Sequence, residues 1–142
     1  MPEILILQNI MHKELFSLAG SLTPYGCQME DIEQMKLHCR SINPSKALCV
    51  VKDWIILVKH VEQSGTEDTP LDKLVLATNV IEDEKGRFPP GGWVRTSWCM
   101  NIHHDAIFET GNTFYILVGN GNCKHLYPEE FLARMKLLRD LV

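Results

Sequence analysis

No stretch of the 142 residues approaches the ~18 consecutive apolar residues of a membrane-spanning helix. The first seven residues, MPEILIL, lack the basic start and long apolar middle of an export signal. The expectation is therefore a cytoplasmic protein with no membrane contact. Bases are also in short supply, with 14 Lys and Arg against 18 Asp and Glu and a net charge of −4. A direct nucleic-acid binder carries a basic footprint, which is missing. The five cysteines are odd in number and include no CxxC spacing, which argues for reduced thiols rather than a disulfide framework. No HxxxH pair, no GxxxxGK[ST] loop and no GxSxG elbow occurs, so no cofactor is expected.

What is present suits one globular domain over residues 1–142. Hydrophobic residues make up 45% and charged residues 23%, and a chain this long buries about two thirds of its surface. Glu3 to Gln8 reads as a strand, or as the start of a helix running on through Leu15, Phe16, Leu18, Ala19 and Leu22. Met29, Ile32, Met35 and Cys39 recur at helical spacing, which predicts an amphipathic helix near 28–41, stopped by Asn43-Pro44. Residues 47–61 are rich in Val and Ile and read as strands, with a break near Lys52-Asp53 that would make a hairpin. Leu74 to Ile81 is a further strand. Trp93 to Ile102 alternates, with Val94, Thr96, Trp98, Met100 and Ile102 on one face. Gly111-Asn112 joins two more strands as a hairpin. Pro128, with Glu129 and Glu130 behind it, starts a helix near 128–141 whose stripe is Phe131, Met135, Leu138 and Val142. The fold class is α+β, a five- or six-stranded, mainly antiparallel sheet with a helix toward each end.

Four constellations could carry chemistry. Cys99, His103, His104, Cys123 and His125 form the candidate metal set; Cys123 and His125, at i and i+2, lie on one side of an extended chain. His103, His104, Asp105 and Glu109, near Ser97 and Cys99, are the candidates for acid–base work. Gly119-Asn120-Gly121-Asn122 ahead of Lys124 matches no phosphate loop and reads as a turn. Arg87, Phe88, Trp93, Arg95 and Trp98 supply the residue types that anchor protein interfaces, and Pro89 to Gly92 would be a rigid rim beside them. Charge is uneven too. From Glu62 to Glu84 there are seven acids and one base, a local −6 that leaves the remainder at +2. Glu82, Asp83 and Glu84 are the part of that stretch beside the aromatic patch, and a basic partner would complement them.

Two words in the chain carry a resemblance. The first runs from Gly86 through Arg87-Phe88-Pro89-Pro90-Gly91-Gly92-Trp93-Val94-Arg95-Thr96-Ser97; the second has Phe108-Glu109-Thr110, Asn112-Thr113, Tyr115, Leu117, Gly119 and Gly121. Together they resemble the core RFxxGxWVRTS…FETxNTxYxLxGxG of small uncharacterised proteins of proteobacterial phages, plasmids and integrative elements. The match covers about a quarter of the chain and departs at Asn122-Cys123-Lys124, where those proteins are more basic. It implies a mobile-element accessory protein and transfers no catalytic residue. Such genes act in conflict between phage and host, as inhibitors of restriction or CRISPR systems, as other anti-defence factors or as immunity proteins. The leading expectation is a non-enzymatic protein-binding factor that inhibits a bacterial defence system, its partner another protein or a nucleic-acid-binding defence complex. The alternatives are a small metal-binding regulator or enzyme built on the Cys/His set, and a self-associating structural module or toxin-immunity protein, for which a homodimer would form.

Overall fold

The computed structural model describes residues 21–59 and 73–126, together with Leu132, Ala133, Met135 and Lys136. Its elements are β1 (Ser21–Leu22), a 3₁₀ turn (Met29–Asp31), helix α1 (Ile32–Ile42), β2 (Ala47–Lys59), β3 (Lys73–Asp83), β4 (Val94–Arg95), β5 (Asn101–His103), β6 (Ile107–Glu109), β7 (Thr113–Leu117) and β8 (Asn122–Leu126). The class is α+β and the sheet is mainly antiparallel, as expected. It has eight strands among the described residues rather than five or six. The surplus comes from strands of two to five residues, too short for a periodic pattern to register. The strand expected over Glu3 to Gln8 lies outside the described residues. So does most of the helix expected near 128–141, of which Leu132, Ala133, Met135 and Lys136 are helical.

β2 is the axis of the sheet. On one side it pairs antiparallel with β3 along most of its length. On the other, its first half pairs parallel with β7 and its second half parallel with β8. The hairpin expected at Lys52-Asp53 is not formed. β2 continues through this point as one 13-residue strand, because Asp53, at φ +53°, turns the alternation over without reversing the chain or breaking its register with β3. The parity of the strand therefore flips. Cys49 and Val51 face the same cluster as Trp54, Ile56 and Val58. The partner changes at the same place: Val118 N donates to Val51 O at 2.9 Å, the chain detours, and β8 begins opposite Ile55.

The run from Val94 to His103 also differs from its expected form. Alternation holds from Val94 to Thr96 and then slips, so that Cys99 is buried and Trp98 is exposed. Thr96 N donates to Val75 O and Cys99 N to Lys73 O, two residues further along β3; the odd residue between them is pushed outward. Met100 N then donates to Glu109 O at 2.7 Å and β5 pairs with β6. One run of chain thus bonds to strands toward both edges, and the sheet curls around an interior cluster drawn from β2, β3, β4, β6 and β7. Helix α1 covers a second cluster, made of Leu48, Val50, Ile107, Phe114 and Ile116. Met135 packs on a third, with Ile55, Leu57, Leu74, Leu76 and Leu126.

Candidate functional site

The acidic triplet is neutralised from within. Glu82 accepts from Lys36 Nζ at 2.5 Å and Glu84 pairs with Arg40. Lys36 and Arg40 are four residues apart on one face of α1, so the two carboxylates at the end of β3 tie the helix to the sheet. All four side chains keep solvent contact, and exposed pairs are worth about 0.2–1 kcal/mol each. A Lys36→Ala, Arg40→Ala variant should lose stability on that scale in urea titrations, and the loss should shrink in high salt.

Asp83 and Arg87 have a different task. Asp83 accepts from Arg87 Nε at 3.0 Å, from Arg87 Nη2 at 2.9 Å, and from the backbone N–H groups of Arg87 and Phe88. Burial raises the Asp83 carboxyl, but the side-chain and backbone hydrogen bonds from Arg87 more than reverse that and hold it below the usual carboxylate range. Arg87 Nη1 goes on to Thr113 Oγ1 at 2.9 Å. The first familiar word is thereby bolted to the second. Phe88, Val94, Phe108 and Tyr115, two from each word, share the interior cluster.

The candidate patch is split by the sheet. Phe88 packs on the interior cluster, with the Arg87 guanidinium 5.4 Å from its ring. Trp93 packs with Met135 on the third cluster, which lies on the opposite face. Arg95 is exposed, its Nη1 4.0 Å from Met135 Sδ. Trp98 and Met100 are 38% and 46% exposed, and Lys59 Nζ stands 6.0 Å from the Trp98 ring centre.

The metal set is not gathered. Among the described residues no group of three or more His, Cys, Asp or Glu could hold a metal ion. Cys123 Sγ does lie 3.8 Å from His125 Nε2, as their i and i+2 spacing suggested. Cys99 belongs to the interior, and burial pushes its thiol up to about 12, as it does for Cys39 and Cys49.

The acid–base candidates assemble further than any other set. Glu109 is buried at the end of β6. Its Oε1 lies 2.8 Å from His103 Nε2 and its Oε2 accepts from Lys46 Nζ at 2.6 Å. Lys46 also donates to Thr110 O at 2.9 Å, and its ammonium stands 5.2 Å from the Phe114 ring centre. Burial raises the Glu109 carboxyl, and the hydrogen bonds from Lys46 and His103 outweigh it, so the group stays ionised below the usual range. Next to this triad, His104 stacks on His38 of α1, ring centres 3.8 Å apart and 18° from parallel. His104 and Asp105 hold φ of +51° and +53°. Lys46 and His38 had no signal in the sequence, since each meets its partner across more than 60 residues of chain. Among the described residues no serine, threonine or cysteine side chain is hydrogen-bonded to the triad. A carboxylate so fully bonded serves as a strut rather than a general base.

These features define a curled, mainly antiparallel α+β module, with the acidic triplet and the Lys46–Glu109 pair held in internal ties, and with large exposed apolar side chains at Trp98 and Met100 of the bridging run and, among the described residues, at Met29, Leu37, Ile42 and Leu132. The chain belongs to the family described as Domain of unknown function (DUF6957), whose model matches residues 24–133. No curated protein and no solved structure matches it.

Proposed function

We propose that this chain acts by binding another protein, without catalysis, as an accessory factor of a mobile element that inhibits a bacterial defence complex. The observation behind the binding reading is the slip at Ser97-Trp98. A regular strand would have buried Trp98 with Thr96; the slip turns it outward, three residues from the exposed Arg95 and two from Met100. Trp, Met and Arg are enriched where proteins meet, and a surface with no binding role favours Lys, Glu and Thr at such positions. The likeness of the two sequence words to proteins of phages, plasmids and integrative elements supports the setting. With Arg95 and Lys59 close by, the surface suits a partner with an apolar centre and acidic surroundings.

The test is an affinity pull-down of tagged protein from a lysate of its native host, read by mass spectrometry. Wild type should recover one defence or nucleic-acid-processing complex in stoichiometric amount. An Arg95→Ala, Trp98→Ala variant of unchanged melting temperature should lose it by tenfold or more, since hot-spot truncations cost about 2 kcal/mol each. Equal recovery by the variant would end this assignment of the surface.

A further inference from the structure

We propose that the stacked pair His38–His104 is an acid-sensitive latch on helix α1. The helix has few other fastenings. Of its eleven residues only Ile32 and Cys39 are buried, with Met35 partly so. One flank is tied to β3 by the Lys36–Glu82 and Arg40–Glu84 pairs. The other is tied to the β5–β6 turn by the imidazole stack.

The stack holds best with uncharged rings. Two neutral imidazoles 3.8 Å apart attract by dispersion; two imidazolium ions at that distance repel. The charged groups around them do not offset this. Beside α1, Glu33 of the helix and Glu82 of β3 are bonded to Lys36, and Glu84 just beyond β3 is bonded to Arg40. In the turn, Glu109 is shared between His103 and Lys46. Asp105 follows His104 in the chain and is tied through its backbone, Gly26 N donating to Asp105 O at 2.8 Å. Among the described residues neither the His38 nor the His104 ring has a carboxylate hydrogen-bonded to it. His103 differs from its neighbour in having a carboxylate partner, Glu109, 2.8 Å from its Nε2. His104 and Asp105 also hold a backbone conformation that costs non-glycine residues energy, so losing the stack removes a contact that keeps the turn in place.

The sign follows directly. Acid adds charge to imidazole rings, so the stack is tighter at neutral pH than in mild acid. The test is amide hydrogen exchange of α1 by NMR at about pH 7.5 and about pH 5.5, corrected for intrinsic rates and referred to the amides of β2. In the wild type, protection of α1 should fall about fivefold on acidification, the weight of two like charges at that spacing in a watery setting. In His38→Phe, which keeps a flat ring but cannot charge, the fall should vanish. His104→Asn, whose new residue tolerates positive φ, should also abolish it, and either variant decides alone if the other fails to fold. No fall in the wild type, or a full fall in either folded variant, overturns the latch.

Discussion

Gly121→Ala is expected to be among the most damaging single substitutions in the chain. The indole of Trp54, 1% exposed, lies flat beneath Gly121, and a Cβ there would overlap three of its ring atoms. The ring cannot swing aside. Its Nε1 donates to Val118 O at 3.1 Å, and a Cβ at Gly26 would already reach its other edge. Overpacking a tight core costs about 1–3 kcal/mol and more where backbone must move; here the β7–β8 detour would have to shift, so the upper end or beyond is expected. Gly26→Ala should match it, since that residue sits at φ +115° and its Cβ would overlap Gly119 O. Trp54→Phe should cost less than either, because it removes one hydrogen bond and some volume without a clash. Chemical denaturation of the three variants gives the ranking. A Gly121→Ala protein as stable as wild type would mean that Trp54 is not seated under the detour.

Lys46→Met is expected to cost about 3–5 kcal/mol, toward the lower figure because His103 still reaches Glu109. The Lys46 and Glu109 side chains are only 9% and 10% exposed, so the substitution leaves a carboxylate with little water and one bond fewer. Lys46→Met with Glu109→Leu should recover more than half of that loss, because the penalty belongs to the unpaired charge. The pH dependence has a definite sign. The folded Glu109 carboxyl is held below its usual range, so its contribution is complete above the unfolded value near 4.3 and is lost as pH falls through the folded value. The double variant should lack that part of the acid transition. Urea titrations across pH measure both effects.

The sequence was most readable where one local pattern decided the outcome. Helix α1 follows from Ile32, Met35 and Cys39, while Met29, counted in the same stripe, lies exposed in the 3₁₀ turn before it; the β6–β7 hairpin follows from Gly111-Asn112 between two apolar runs. It was least readable where a single residue changed the parity. Asp53 looked like a turn and is a kink in one long strand. Ser97-Trp98 looked like regular alternation and is the point where the bridging run slips. β8, with the polar string Asn122-Cys123-Lys124-His125, has no strand pattern of its own and forms because β2 offers it an edge. The candidate site fared in the same way. His103 and Glu109 are close in sequence and were paired correctly as a group. Lys46, which completes their triad, and His38, which completes the stack, arrive from distant elements. The acidic triplet looked like a free surface because its partners on α1 cannot be read from charge alone. Arg87 reads as an interface anchor, and its tie between two words of the sequence has no local signal.

The central claim is that the exposed run, and not the buried triad, meets the partner. The most direct measurement is the dissociation constant of the recovered complex, by calorimetry, for two double variants: Trp98→Ala with Met100→Ala, and Lys46→Met with Glu109→Leu. The first alters only the bridging surface and the second only the inner tie. Loss of affinity by tenfold or more in the first, with affinity kept within about threefold in the second, is the predicted result. Affinity kept in the first and lost in a folded second variant would contradict the account and move the functional site to Glu109.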